Sequence, residues 1–153
     1  MRRVVLLILL ALVPFAAFLV TREPAPPVTN EKTTRSFADG FLRHLGPVQE
    51  AADALVDLGE RREHNLLIVS QRQSAMNAAL DAMDAWLAQQ AAHRGDPGVA
   101  AYRAGAEKIR QAMGDAQSAF LRLDWDGIAA ANELLKQGTA EIATAANLLQ
   151  AAG

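Results

Sequence analysis

The sequence predicts an all-α protein, an antiparallel up-and-down helical bundle behind an N-terminal transmembrane helix. Three observations carry this. Alanine and leucine dominate the 153 residues, and aromatics make up only 5%, a composition suited to helices rather than strands. Apolar residues recur with a 3,4 alternation along several stretches, as in helices packed side by side. Residues 4–20 form an uncharged apolar run interrupted only by Pro14. A helix of that length, at about 1.5 Å per residue, approaches the thickness of a bilayer core.

The N-terminal run follows Arg2 and Arg3 and reads as a signal-anchor over residues 1–21. A cleaved signal peptide is the competing expectation. It wants small residues at positions −3 and −1 of the cut, and the candidates fit poorly. Ala16 and Ala17 have Pro14 and Phe15 two residues upstream, and Ala25 follows Glu23 and precedes Pro26. Arg2 and Arg3 place the N-terminus in the cytoplasm and the domain on the extracytoplasmic side, or secreted if the segment is cut. Residues 22–35 are then a Pro-rich linker, extended as polyproline II where prolines cluster. Residues 36–153 form the bundle.

Within the bundle, Ser36-Phe37-Ala38-Asp39 resembles a capping box and starts a helix with the seam Phe37, Phe41, Leu45, Val48, Ala52 and Leu55. Gly46-Pro47 should kink or divide it. A second seam runs Leu66, Val69, Gln73, Met76, Leu80, Met83, Leu87. A third runs Val99, Tyr102, Ala106, Ile109, Met113, Ala116, Phe120, Leu123. The last runs Ile128, Ala131, Leu135, Gly138, Ile142, Ala145, Leu149. Gly95-Asp96-Pro97 supplies a C-terminal glycine, an N-cap and a proline at the first helical position. Asp124-Trp125-Asp126-Gly127 marks another turn. Helices over 65–93, 97–123 and 125–151 follow. At 59–64 two outcomes stand open. A turn, with Asn65 as cap, gives four helices, which the reading favours. A continuous helix gives three, one of them a long rod whose exposed seam needs another chain.

Charge and composition exclude several classes. The net charge is −2, and without residues 1–29, which contain Arg2, Arg3, Arg22 and Glu23, 12 basic residues face 16 acidic ones. An acidic domain has no electrostatic ground for binding nucleic acid. With no cysteine there are no disulfides, thiolate metal sites or thioether-linked haem. His44, His64 and His93 lie outside any metal-binding spacing, and Glu60, Glu63 and His64 do not make the zinc-protease pattern. The Glu-x-x-His pairs of di-metal bundles are absent. A haem bundle needs facing Met and His ligands, whereas Met76, Met83 and Met113 fall on seams and fill core. Tyr102, Phe120, Trp86 and Trp125 read as packing residues. Asp81 and Asp84 read as a solvated helix face, and Asp124 and Asp126 as a cap. No phosphate-binding or nucleophile motif occurs. No catalytic, cofactor-binding or metal-ligating residue is therefore expected, and no enzyme.

Two roles remain. After Gly127 the last helix carries only Glu133, Lys136 and Glu141 as charges, and its small residues allow close approach of another helix. That suggests a membrane-anchored interaction or structural protein with a protein partner, or a homo-oligomer, on the C-terminal helix. The alternative is a sensor-like bundle that holds a small apolar molecule between its helices.

Overall fold

The computed structural model describes residues 30–61 and 65–152. The signal-anchor, most of the Pro-rich linker and His64 lie outside the described residues. Contacts divide the chain into two units, Met1–Lys32 and Thr33–Gly153, and the packing of the helices lies within the second.

Among the described residues there are four α-helices and no strand: α1 (Asn30–Glu60), α2 (Leu66–Ala88), α3 (Pro97–Leu121) and α4 (Trp125–Ala152), with a 3-10 turn at Ala91–His93 before α3. No helix among these residues is long and apolar enough to cross a membrane.

α1 departs from expectation at its start. It begins at Asn30, inside the stretch read as linker, and Ser36 is an exposed residue within the helix rather than its cap. Glu31 and Lys32 are good helix formers, so nothing stops the helix from extending upstream of Ser36. Pro47 does not divide it either. Arg43, Gly46 and Pro47 lie on the exposed side, where water can take up the Arg43 carbonyl that a proline leaves without its N–H. Every expected seam residue of α1, from Phe37 to Leu55, is buried.

The single long rod is not formed, and two separate helices, α1 and α2, stand in its place. α1 ends at Glu60, and the Asn65 side chain accepts from the Leu67 N–H at 3.0 Å to cap α2. α2 stops at Ala88, five residues short of His93. The Gln89 and Gln90 N–H groups bond back three residues, to Trp86 and Leu87 at 3.1 and 3.0 Å, tightening the last turn. This carries His93 over the bundle, where its ring lies 3.8 Å from Phe37 and nearly parallel to it. Asp96 then accepts from the Gly98 N–H at 2.8 Å and Pro97 opens α3, as the local sequence dictates.

The α3–α4 turn is unusual. Leu123 takes a left-handed φ of 56°. The Asp124 N–H bonds to the Ala119 carbonyl at 2.9 Å, and that of Leu123 to Phe120 at 3.1 Å. This is a Schellman motif with leucine where glycine is usual. Leu123, expected at the end of the α3 seam, is instead 69% exposed. Asp124 then caps α4 by accepting from the Gly127 N–H at 2.9 Å.

The direction of each helix follows from which residues meet. Phe37 and Phe41, early in α1, pack on Trp86, late in α2. Tyr102, early in α3, bonds to Asp84 of α2. On α3 and α4, Gly98 faces Leu149 and Gly105 faces Gly138. A Cβ on Gly105 would lie 2.7 Å from the Gly138 carbonyl, and one on Gly138 would lie 2.9 Å from the Gly105 carbonyl. The two backbones touch because neither residue has a side chain there. The small-residue character of α4 is thus used against its own neighbour α3. Its other face, including Ala143, Thr144, Asn147 and Ala151, is exposed.

The core joins all four helices. Leu45, Val48, Met76, Leu80, Met83, Tyr102, Ile109 and Ile142 have no accessible surface beyond 1%.

Candidate functional site

The helix ends nearest the 61–65 connection and the α3–α4 turn do not close on one another. The seams of α2, α3 and α4 lose their burial there, whereas that of α1 keeps it to Leu55. Leu66 is 57% exposed, and Val69, Gln73, Met113, Ala116, Phe120 and Ile128 are only half-buried. Between them lies an open groove of about 1250 Å³ that draws its walls from all four helices. Leu55 and Leu58 of α1, Val69 of α2, Met113 and Phe120 of α3 and Ile128 and Leu135 of α4 supply the apolar surface. Trp125, 57% exposed, and Leu121, 79% exposed, stand at its edge.

The polar groups of the groove are few. Glu60, Asp126, Glu133 and Lys136 are its charged residues. Lys136 Nζ lies 3.3 Å from Glu60 Oε1 and 3.4 Å from Glu133 Oε1, joining α1 to α4. Hydrogen bonds to Glu60 first, and then to Glu133, hold its ammonium above the ordinary lysine range. The cation is therefore committed, and the rim keeps an excess of negative charge. Asn132, in the wall, presses its Oδ1 against Gly59 of α1. Among the described residues, this is the buried side-chain polar atom with no hydrogen-bond partner, an arrangement the fold alone does not require.

The residues weighed from sequence fall elsewhere. His44 stacks on Trp86 at 5.1 Å, Trp86 on Phe37 at 5.5 Å, and Phe37 on His93 at 3.8 Å. The two histidines thus flank an aromatic stack at the closed end. Met76 and Met83 are core, whereas Met113 lines the groove. No three His, Asp or Glu side chains among the described residues converge on a point that could hold a metal ion.

Asp84 differs from the solvated residue expected. Its Oδ1 accepts from the buried Tyr102 hydroxyl at 3.0 Å, and its Oδ2 pairs with Arg110 at 2.6 Å. Burial first, then the charge and hydrogen bond of Asp84, push the Tyr102 phenol well above its ordinary value of 10.0.

One cue for the groove was present in the sequence. Gln73 occupies a seam position, and the facing seam of α3 offers the small Ala116. A polar residue opposite a small one leaves a core position unfilled. Comparison with protein-family models, with curated proteins and with solved structures returns no match.

Proposed function

We propose that the chain is a non-catalytic binding protein whose bundle takes an apolar guest, with a neutral or cationic head, into the groove at its open end. The supporting observation is the loss of burial on the seams of α2, α3 and α4 around one space, while the same seams are buried a few turns away. Ligand sites in proteins are mostly apolar concavities with few polar groups, and this groove has that character. Three carboxylates, Glu60, Asp126 and Glu133, against the one ammonium of Lys136 disfavour an anionic head.

Residues 1–21 act in this proposal as a single-pass membrane anchor, with the bundle on the extracytoplasmic side. The apolar run supports that role. N-terminal sequencing of the membrane fraction tests the anchor. A mature start between Ala17 and Asn30 would make the protein secreted.

Trp125 at the groove's edge provides a reporter once Trp86 is replaced by phenylalanine. Titration of that full-length variant with 1-decanol or decyltrimethylammonium, below their micelle concentrations, should shift Trp125 emission to the blue and saturate. Decyl sulfate should bind more weakly. Ala116→Phe, which fills the groove, should abolish the response while helical circular dichroism is retained. A response that never saturates, or one unchanged by Ala116→Phe, defeats the proposal.

A second proposal rests on the exposed face of α4. From 142 to 152 it carries no charge, and Leu148 is 41% exposed on it. Such a face suits a protein partner or a second copy of the chain better than water. Thr144→Arg with Ala151→Glu should leave the melting temperature unchanged and abolish self-association in sedimentation velocity. An unchanged sedimentation coefficient removes this role.

A further inference from the structure

A separate concavity of about 560 Å³ lies on the α2–α3 side of the bundle and shares no lining residue with the groove. Arg94 comes to it from the α2–α3 connection, and Arg103 and Arg110 from α3, seven residues apart and so on one face of the helix. We propose that this pocket binds a phosphate-type oxyanion.

The argument concerns which charges are already answered. Asp84 is the acidic residue in the pocket wall, and both of its oxygens are occupied, by Tyr102 and by Arg110. Tyr102 is itself buried, and its hydroxyl also lies 3.4 Å from the Leu80 carbonyl. A rigid core residue therefore sets Asp84, and Asp84 sets the Arg110 guanidinium. Asp81 stands 3.9 Å from Arg110 on the outer side. Asp96 is committed to the Gly98 N–H. Glu107 is exposed on α3 between the two arginines.

Arg94 and Arg103 have no ion-pair partner among the described residues. Two arginines without an ion-pair partner and a third held by Asp84 and Asp81 thus line one concavity with Leu87 and Ala106. The pocket lining itself holds three arginines against the single carboxylate of Asp84. The planar fork of N–H donors on each guanidinium matches the oxygens of a phosphoryl group. The apolar floor screens the attraction less than open water does.

Isothermal titration of the full chain in neutral detergent, with inorganic pyrophosphate at low salt, tests the site. Saturable binding that weakens as sodium chloride is added is expected. Arg94→Gln with Arg103→Gln should weaken it at least tenfold without changing the melting temperature. Arg43→Gln with Arg72→Gln, exposed arginines elsewhere, should leave it intact. The source is separated by dihexanoyl phosphatidylglycerol below its micelle concentration. Tighter binding than pyrophosphate, lost in the same double variant, assigns the site to a lipid headgroup. Weaker binding assigns it to free phosphates. No saturable heat with either probe, or an equal loss in the control pair, overturns the proposal.

Discussion

The two ends of this bundle are built from the same four seams and finish differently. At the end near Phe37, rings from α1, α2, α3 and the 3-10 turn interlock. Phe41 meets Tyr102 edge-on at 6.2 Å, and Trp86 bridges Phe37 and His44. At the end near Trp125, the seam positions include Gln73 and Ala116, and leucines 66, 67, 121 and 123 face solvent. Volume accounts for the difference. Large rings fill the space between four helices, whereas alanines do so only where backbones can touch, as α3 and α4 do at Gly105 and Gly138. A periodic seam shows which side of a helix faces inward. Side-chain volume decides whether the helices close on it.

The largest effect expected of this contrast is on stability. Leu80→Ala, in a layer with no accessible surface, should cost about 2–5 kcal/mol. Leu66→Ala, on the α2 seam but 57% exposed, should cost less than about 0.5 kcal/mol. Urea melts of both variants measure this. Equal losses would mean that the open end is packed in solution.

A smaller effect belongs to Tyr102. Its phenol is raised above 10.0 in the folded chain. The stability this brings is fully present below the unfolded value and is lost as pH rises above about 10 towards the folded one. Tyr102→Phe should cost about 1 kcal/mol at neutral pH through the lost hydrogen bond. It should also flatten the fall in melting temperature between pH 9 and 12, relative to wild type. Parallel slopes would show that the hydroxyl is not held against Asp84.

The smallest effect is a gain. Leu123 holds a left-handed φ at the open end, which costs a side-chain-bearing residue about 1–2 kcal/mol. Leu123→Gly should recover about 0.5–1 kcal/mol, less than the full strain because glycine gains freedom in the unfolded chain. Thermal melts would register the rise, and a fall would show that the Leu123 side chain is held by contacts that outweigh the strain.

What the sequence conveyed follows the same division between local and distant causes. Asn65, Asp96-Pro97 and Asp124 act within their own turns, and each marks a helix start in the structure. The seam of α1 is buried as its period requires. The end of α2 was not legible, because Gln89 and Gln90 contain no breaker and the stop is accompanied by a ring contact with Phe37, far away in the chain. Ser36 misled for the opposite reason. A capping pattern marks a start only if the preceding residues cannot be helical, and Glu31 and Lys32 can. The groove was hidden because a period carries phase and not volume. The role of Asp84 was hidden because its partners Tyr102 and Arg110 lie 18 and 26 residues away.

The glycine contact between α3 and α4 also bears on the order in which the molecule assembles. Gly105 and Gly138 meet across a single short turn, so little chain entropy is lost in bringing them together. Gly59 and Asn132 meet only when the chain from α1 to α4 has come round. Contacts between near neighbours form early in folding, and long closures follow. Amide exchange should therefore be slowest along α3 and α4 near Gly105 and Gly138, and faster where α1 leans on Asn132. On that ordering, the walls that enclose the groove are the last to meet and the first to part.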